Sequence, residues 1–328
     1  MDYVLGIDGG GTKTACVISD TEGRLLGGAI SGGSNYLTVG KDETAKSIRD
    51  AIKKASERCH VKIPRFKLAY LGMAGSGRPS GIKVIKRIME DLDVAEKVII
   101  DIDASIALAG AITCKPGVVV ISGTGSIAFG INKKGESKRV GGWGYLWDDE
   151  GSGFEIGRRG LTAAFRAYDG RGEETLLLNR LISHFEVRNV DDLLDRIYSG
   201  GVKINAISSL APLVIEAARD GDTVSLKILR DTVEELSLSA MTVIRNLKME
   251  CDEFELALMG GVFKAKDLIA LPVQKRIKSF APKCKVIAPR FKPVVGAILM
   301  ALKELNIQID KSVLSSVEAT LHNVQNIF

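Results

Sequence analysis

The sequence contains few of the residues that mark several common kinds of binding site. Aromatic residues make up only 5% of its 328 positions, too few for the base-stacking surfaces of proteins that bind single-stranded nucleic acid. Its 45 lysines and arginines stand against 40 acidic residues and form no dense basic tract, so nucleic-acid binding is not indicated. The three histidines lie far apart, and their spacing argues against a zinc site.

Cysteines and long apolar runs are also scarce. None of the five scattered cysteines forms a CxxC pair, and we interpret them as reduced core residues of a cytoplasmic protein. No apolar run approaches the length of a membrane helix, and Met1 leads directly into the first predicted strand, so we expect no signal peptide. The remaining composition, 45% hydrophobic and 26% charged, is that of a globular protein long enough for two domains.

A glycine-rich turn near the start of the chain is the most informative feature. Between predicted strands at 4–7 and 15–18 the chain reads Asp8, Gly9, Gly10, Gly11, Thr12, Lys13 and Thr14. Because glycine has no Cβ, the N–H groups of such a turn can point at one centre and bind phosphate, although a simple hairpin turn is the alternative. Asp8 is placed to hold a magnesium ion through water. Lys13 and the hydroxyls of Thr12 and Thr14 could reach phosphate oxygens.

The same plan recurs later in the chain. A predicted strand at 118–121 leads into Ser122, Gly123, Thr124, Gly125 and Ser126, and a further strand follows at 127–131. Another glycine pair, Gly260 and Gly261, follows a strand predicted at 254–259. Because strands alternate with helices, we expect mixed sheets with helices on their faces, in two similar halves that divide near Lys115.

The segment 141–153 combines glycines, acids and both tryptophans of the chain, as loops that bind ligands often do. Within it, Trp143 is either a pocket residue or part of the core. Asn35, in an earlier polar loop, is either a ligand contact or a turn former. From residue 154 onward the chain is mostly helical, with one helix predicted at 205–219.

Two aspartates stand at the end of another predicted strand. Asp103 follows a strand at 98–102 and precedes a helix at 104–112, where a side chain opens into a cleft or caps the helix. Asp101 would share its strand face, so the residues alone do not separate the two.

Three stretches, 7–14, 121–126 and 141–152, together carry a family resemblance. The chain resembles the actin-like, sugar-kinase ATPase superfamily and, within it, the N-acetylglucosamine kinase-like branch of the BadF/BadG/BcrA/BcrD ATPase family, over roughly residues 3–303. The resemblance implies an α/β fold of two actin-like (ribonuclease H-like) domains, each a mixed five-stranded sheet with flanking helices, with an ATP cleft between them. The domains would span 1–115 and 116–306, the last helix could pack back on the first domain, and 307–328 would form a tail.

The resemblance also assigns roles to residues, with ATP and Mg²⁺ as cofactors. Asp8 would hold the metal and Asp103 would be the catalytic base, with Asp101 not fully excluded. The nucleotide would contact Gly9, Gly10, Gly11, Thr12, Lys13, Gly123, Thr124, Gly125, Ser126, Gly260 and Gly261. The sugar would contact Asn35, Asp103, Gly142, Trp143, Gly144 and Asp149.

The implied activity is transfer of the γ-phosphate of ATP to the 6-hydroxyl of an amino sugar. N-acetylglucosamine is the first expectation, with glucosamine, glucose and N-acetylmuramic acid as close variants. We expect a cytoplasmic homodimer with no nucleic-acid or membrane partner.

Two other functions are consistent with parts of the sequence. One is an ATPase activator of a radical 2-hydroxyacyl-CoA dehydratase or benzoyl-CoA reductase, as other members of the family are. Those proteins typically read Gly-Gly-Gln-Asp where this chain has 123–126, and they hold an iron–sulfur cluster through cysteines, whereas Cys114 has no clear partner here. The other is a non-catalytic sugar sensor, against which the presence of both phosphate loops and Asp103 argues.

Overall fold

The computed structural model of the protein describes residues 2–59, 61, 63–199 and 203–327. The chain divides into two compact units, Met1–Pro116 with Ala288–Phe328, and Gly117–Ile287. Each unit contains one five-stranded mixed sheet with flanking helices, which confirms the predicted α/β architecture. No helix within the described ranges is long and apolar enough to cross a membrane.

The first unit opens with an antiparallel meander and continues with alternating helices and strands. Its elements are β1 (Tyr3–Gly9), β2 (Thr14–Asp20), β3 (Leu25–Ser31), α1 (Tyr36–Val39), α2 (Lys41–Glu57), β4 (Phe66–Met73), α3 (Pro79–Leu92), β5 (Ala95–Ile102) and α4 (Asp103–Ile112). The sheet order is β3-β2-β1-β4-β5, and the β1–β4 and β4–β5 pairs are parallel. Leu5 and Ile7 of the central strand are fully buried against α2 and α3.

The second unit repeats this plan. Its elements are β6 (Gly117–Ser122), β7 (Ser126–Ile131), β8 (Ser137–Gly141), α5 (Gly153–Tyr168), α6 (Leu177–His184), α7 (Val190–Ser199), α8 (Ile204–Ser208), α9 (Ala211–Arg219), α10 (Thr223–Asn246), β9 (Phe254–Met259), α11 (Leu271–Phe280) and β10 (Cys284–Ile287). The sheet order is β10-β9-β6-β7-β8, with β6 antiparallel to β7 and parallel to β9. The prediction of two similarly built halves is therefore confirmed in strand order and direction.

One predicted helix is divided in the structure. The segment predicted as one helix at 205–219 forms α8 and α9, with a break at Ser209 and Leu210. Pro212 lies in the first turn of α9, where its missing N–H does not cost a helical hydrogen bond. A single helix through this position would lose that bond, so the prediction was wrong here.

The last part of the chain packs with the first unit. It contains α12 (Pro293–Glu304), α13 (Lys311–Thr320) and a 3₁₀ turn (Leu321–Ile327), and α12 packs on α4, β1 and β4. The main chain of Leu25 on edge strand β3 donates to Thr320 Oγ1 at 2.9 Å and accepts from Asn323 Nδ2 at 2.8 Å. The units therefore divide differently from the predicted domain 116–306 and tail 307–328, because the apolar face of α12 is buried in the core of the first unit.

Two glycines allow α12 to approach α4 very closely. A Cβ at Gly296 would lie 1.9 Å from the Ile106 carbonyl oxygen and 2.5 Å from the Gly110 nitrogen. A Cβ at Gly110 would lie 2.8 Å from the Lys292 carbonyl oxygen. The two helix backbones are thus in direct contact, and no side chain fits at either position.

We expect Gly296→Ala to lower the free energy of unfolding by about 3 kcal/mol, because the new methyl group must separate two backbones. Urea denaturation followed by circular dichroism measures this change. Gly11→Ala is the matched control, since a Cβ there would meet no atom within 4 Å. Equal stability of the two variants would contradict the packing described here.

Candidate active site

In the first unit, the glycine-rich turn and the segment containing Asn35 are joined by main-chain hydrogen bonds. The turn between β1 and β2 is closed by the Gly10 N–H, which donates to the Lys13 carbonyl at 2.9 Å. The Gly10 carbonyl in turn accepts from the N–H groups of Ser34 and Asn35, at 2.9 and 3.2 Å. The predicted phosphate turn and one predicted sugar ligand therefore lie side by side.

The need for glycine differs among the three glycine positions of this turn. A Cβ at Gly9 would lie 2.4 Å from Met73 Sδ and 2.5 Å from Ser34 Oγ, so packing requires glycine there. None of the three has a positive φ, and a Cβ at Gly11 would meet nothing within 4 Å. Neither packing nor conformation requires glycine at position 11, whereas close approach of a ligand to its main chain would.

Thr14 does not fit its predicted role as a phosphate contact. Its side chain is fully buried, and its hydroxyl donates to the Gly32 carbonyl at 2.7 Å. The hydroxyl therefore links the start of β2 to the residue that directly follows the neighbouring strand β3. Thr12 and Lys13 of the same turn are exposed.

The carboxyl ends of β1, β4 and β5 meet at one edge of the first sheet. Asp8 stands opposite Gly72, and Gly72 stands opposite Asp101, so Asp8 and the start of α4 at Asp103 lie at the same edge. Burial and, to a smaller extent, the nearby charge of Asp103 raise the pKa of Asp8 to about 7, although the charge of Lys13 opposes the rise. Two carboxylates and an ammonium group thus surround the end of β1.

The two candidate aspartates differ in their hydrogen bonds. Asp101 accepts from the Tyr70 hydroxyl at 2.8 Å through one oxygen and from the Ile102 N–H at 2.7 Å through the other. Asp103 is the first residue of α4, and its Oδ1 accepts from the Ala104 N–H at 2.9 Å. Both oxygens of Asp101 therefore accept hydrogen bonds at the sheet edge, and Asp103 lies at the start of α4.

Asn35 has a structural role in addition to its predicted one. It is the N-cap of the short helix α1, where its Oδ1 accepts from the Leu37 N–H at 3.2 Å. The turn-forming alternative is thus correct for this oxygen, and the side-chain amide nitrogen makes no hydrogen bond to a described residue.

The loop after β4 also lies at this edge, although none of its residues was predicted to belong to the site. A Cβ at Gly75 would lie 2.8 Å from Asn35 Oδ1, and Gly75 has a positive φ of 86°. The Ser76 hydroxyl bonds the carbonyls of Met73 and Asp101, at 2.6 and 2.7 Å. The small residues of this loop, which come directly after a buried parallel strand, were the sequence signal that could have placed the loop at this edge.

The second unit contains the other glycine turn, between β6 and β7. The Gly123 N–H donates to the Gly125 carbonyl at 2.9 Å, and the Gly123 carbonyl accepts from the Gly153 N–H at 2.7 Å. A Cβ at Gly123 would meet nothing within 4 Å, and its φ is not positive, as at Gly11. Thr124 is exposed. Gly123 is therefore, like Gly11 in the first unit, a glycine that neither packing nor conformation requires.

Hydrogen bonds of Ser126 connect this turn to Asp149 and Glu150. The Ser126 hydroxyl donates to the Glu150 carbonyl at 2.7 Å, and its N–H donates to Asp149 Oδ1 at 3.2 Å. Both donors of Ser126 are thus directed to the protein, contrary to its predicted phosphate contact. Asp149 is buried, has a φ of 70° and lies 2.8 Å from where a Gly125 Cβ would be. Burial, with smaller contributions from the charges of Asp148 and Glu150, raises the pKa of Asp149 to about 6, although the hydrogen bond from the Ser126 N–H opposes the rise.

The glycine pair after β9 lies against the end of β6. Gly260 has a φ of 107°, and a Cβ there would lie 2.0 Å from the Ser122 carbonyl oxygen, so the fold requires this glycine. Gly261 begins a 3₁₀ turn, and a Cβ there would meet nothing within 4 Å. Of the predicted adenosine contacts, Gly261 is therefore the one that the fold alone does not explain.

The loop after β8 exposes Trp143. Its side chain is 56% exposed, so the alternative of core packing is wrong. The main-chain N–H of Trp143 donates to Asp148 Oδ2 at 2.8 Å, and the neighbouring Gly142 and Gly144 have φ values of 73° and 103°. Positive φ at these positions explains the glycines and fixes the path of the loop.

We expect the stability of Asp149→Asn relative to the parent to rise with pH. Because the folded state raises the pKa of Asp149 to about 6, it binds the proton more tightly than the unfolded chain, and the parent loses stability between about pH 4 and pH 6. Asparagine cannot titrate and tolerates a positive φ, so the variant should gain about 1 to 2 kcal/mol over this range. Urea titrations at pH 4, 5, 6 and 7 measure the difference, and a difference that is flat or falls with pH would show that burial does not disfavour this carboxylate.

Two curated relatives match almost the whole chain. An N-acetylmuramic acid/N-acetylglucosamine kinase from Clostridium acetobutylicum is 35% identical over 304 residues, covering 93% of this chain and 99% of its own. An N-acetyl-D-glucosamine kinase from Dictyostelium discoideum is 33% identical over 313 residues, covering 92% and 98%.

Solved structures agree with the fold. A protein from Chromobacterium violaceum, provisionally named an N-acetylglucosamine kinase, superposes with a TM-score of 0.76 at 26% identity and covers 92% of this chain and 99% of its own. A ROK family glucokinase from Streptomyces griseus, in complex with glucose and AMPPNP, has a TM-score of 0.60 at 17% identity and covers 92% and 99%, a likeness of fold alone. The model of the BadF/BadG/BcrA/BcrD ATPase family matches residues 5–301, and the chain belongs to this family.

Proposed function

We propose that this protein is a kinase that transfers the γ-phosphate of ATP to the 6-hydroxyl of an amino sugar. The substrate that we propose is N-acetylglucosamine. Kinases of N-acetylglucosamine and N-acetylmuramic acid are among its relatives at 33% and 35% identity over more than nine-tenths of the chain. Glucosamine, glucose and N-acetylmuramic acid are the variants to be compared. That the enzyme is a cytoplasmic homodimer stays a prediction.

The observation that carries the nucleotide site is the set of glycines at 11, 123 and 261. At each of them a Cβ would meet no atom within 4 Å, and none has a positive φ. Glycine costs conformational entropy on folding, so a glycine that the fold does not need suggests another constraint. Close approach of phosphate or adenosine to the main chain supplies that constraint.

Asp8 fits the predicted magnesium ion. Its carboxylate makes no hydrogen bond or ion pair with a described residue, and burial and Asp103 both disfavour its negative charge, which a cation would compensate. In a kinase the ion supplies neutralisation of charge on the transferred phosphate. Lys13, whose charge already acts on Asp8, would then face the phosphate oxygens.

Asp103 is the proposed base. A sugar hydroxyl is a poor nucleophile, and a carboxylate in hydrogen-bond reach draws off its proton as the new bond to phosphorus forms. Asn35 and Asp149 would orient the sugar through their planar polar groups, and Trp143 would pack against its ring. These three sugar contacts stay predictions: Trp143 is exposed, whereas Asp149 is buried and Asn35 Oδ1 already caps α1.

Release of ADP in a coupled assay, with ATP, Mg²⁺ and a panel of hexoses and amino sugars, tests this function. We expect turnover with at least one amino sugar and a fall in kcat of about 10²- to 10⁴-fold in Asp103→Asn, whose amide oxygen keeps the bond to Ala104. Asp101→Asn is the matched control and should keep most of the turnover. A parent enzyme without turnover on any sugar would contradict the function, and the opposite ranking of the two variants would reassign the base.

Gly11→Ala and Gly123→Ala test the nucleotide turns. Both should fold with unchanged or slightly raised stability, since alanine restricts the unfolded chain and meets no atom in the folded one. The KM for ATP should nevertheless rise about tenfold in each variant, because the methyl group stands where phosphate approaches. Initial-rate kinetics and urea denaturation of the same samples measure both quantities, and an unchanged KM for ATP in either variant would remove that turn from the site.

A further inference from the structure

A cation lies over the indole of Trp143. Arg139 belongs to edge strand β8, opposite Phe129 of β7, and its guanidinium carbon is 4.0 Å from the centroid of the Trp143 ring. This distance is well within the range of a cation–π interaction. Across the described ranges of the chain, Arg139 has no carboxylate partner and no side-chain hydrogen bond, so the indole is the contact that fixes its guanidinium.

The main chain of Trp143 is held as well. Its N–H donates to Asp148 Oδ2 at 2.8 Å, and the N–H groups of Trp147 and Asp148 return to the Gly144 carbonyl, at 3.1 and 3.0 Å. The loop therefore closes on itself around Trp143. Both the backbone and the ring of this residue have a defined position although the side chain is exposed.

Trp147, in the same loop, is different. It is 81% exposed, and no ring or cation contact of its side chain occurs among the described residues. Arg139 itself adds nothing to the hydrophobic core, because it is a partly exposed residue on an edge strand. The stacking of Arg139 thus serves one of two exposed indoles, the one predicted to contact the sugar.

We propose that Arg139 is a positioning residue that holds the Trp143 indole ready to pack against the sugar ring. The inference rests on the proposed function, in which Trp143 contacts the sugar. The guanidinium covers one face of the indole, and the side chain as a whole stays 56% exposed, which leaves surface for the apolar face of a pyranose ring. A ring that is already ordered loses less freedom when the sugar binds, so Arg139 lowers the KM for the sugar without contacting the reacting atoms.

The chain has only two tryptophans, which makes a direct test possible. In a Trp147→Phe enzyme the fluorescence reports Trp143 alone, and we expect N-acetylglucosamine to change its emission. Arg139→Gln in this background should raise the Kd for the sugar about fivefold and make the indole more accessible to acrylamide. Arg139→Lys keeps the positive charge and should restore most of both properties.

Steady-state kinetics separate positioning from general damage to the fold. In the otherwise native enzyme, Arg139→Gln should raise the KM for the sugar while kcat and the KM for ATP stay unchanged. Trp147→Ala, the matched control in the same loop, should alter none of the three. The inference is overturned if Arg139→Gln leaves the sugar KM and the quenching unchanged, or if it changes the KM for sugar and ATP equally.

Failure of the proposed function gives a different pattern. If the parent phosphorylates no sugar of the panel, the function itself is wrong. If the parent phosphorylates N-acetylglucosamine but Trp143→Ala leaves the sugar KM unchanged, the contact of Trp143 and the role of Arg139 both fall while the kinase activity stands.

Discussion

In each unit, the central strand pairs in parallel with a neighbour, and the carboxyl ends of the two strands therefore meet at one edge of the sheet. In the first unit this register sets Asp8 opposite Gly72 and Gly72 opposite Asp101. In the second unit the register sets Ile121 opposite Met259, and the next residue, Gly260, therefore lies against the Ser122 carbonyl. The positions of Asp8, Asp103, Gly123 and Gly260 follow from this pairing, because each lies in or directly after a strand that ends at the edge.

Glycines at these edges fall into two groups with different physical reasons. Gly9 and Gly260 are required by the fold, since a Cβ at each would overlap another atom. Gly11, Gly123 and Gly261 are not, and they are the ones that the proposed nucleotide contact explains. The distinction separates residues whose substitution should damage stability from residues whose substitution should damage binding alone.

Apolar runs, helical periodicity and glycine turns were sufficient to predict most strands, most helices and the repeated turn plan, because these features depend on the local sequence. The hydrogen-bond partners of individual side chains could not be predicted. Nothing in the sequence shows that the Thr14 hydroxyl bonds the Gly32 carbonyl, or that Tyr70 occupies an oxygen of Asp101, since these partners are brought together only by strand pairing. Strand β8 and helix α13 were missed for a related reason. Ser137–Gly141 is short and polar, and the packing of α13 depends on the return of the chain to the first unit.

The central claim is that the two glycine turns bind phosphate groups of the nucleotide. Hydrogen–deuterium exchange of the intact protein, with and without a non-hydrolysable ATP analogue and Mg²⁺, tests it most directly, because backbone N–H groups that bind phosphate exchange more slowly. We predict slower exchange in peptides that cover 9–13 and 123–126, and little change in peptides of the exposed turn at 169–172. Saturating analogue that leaves exchange in both glycine turns unchanged would contradict the account.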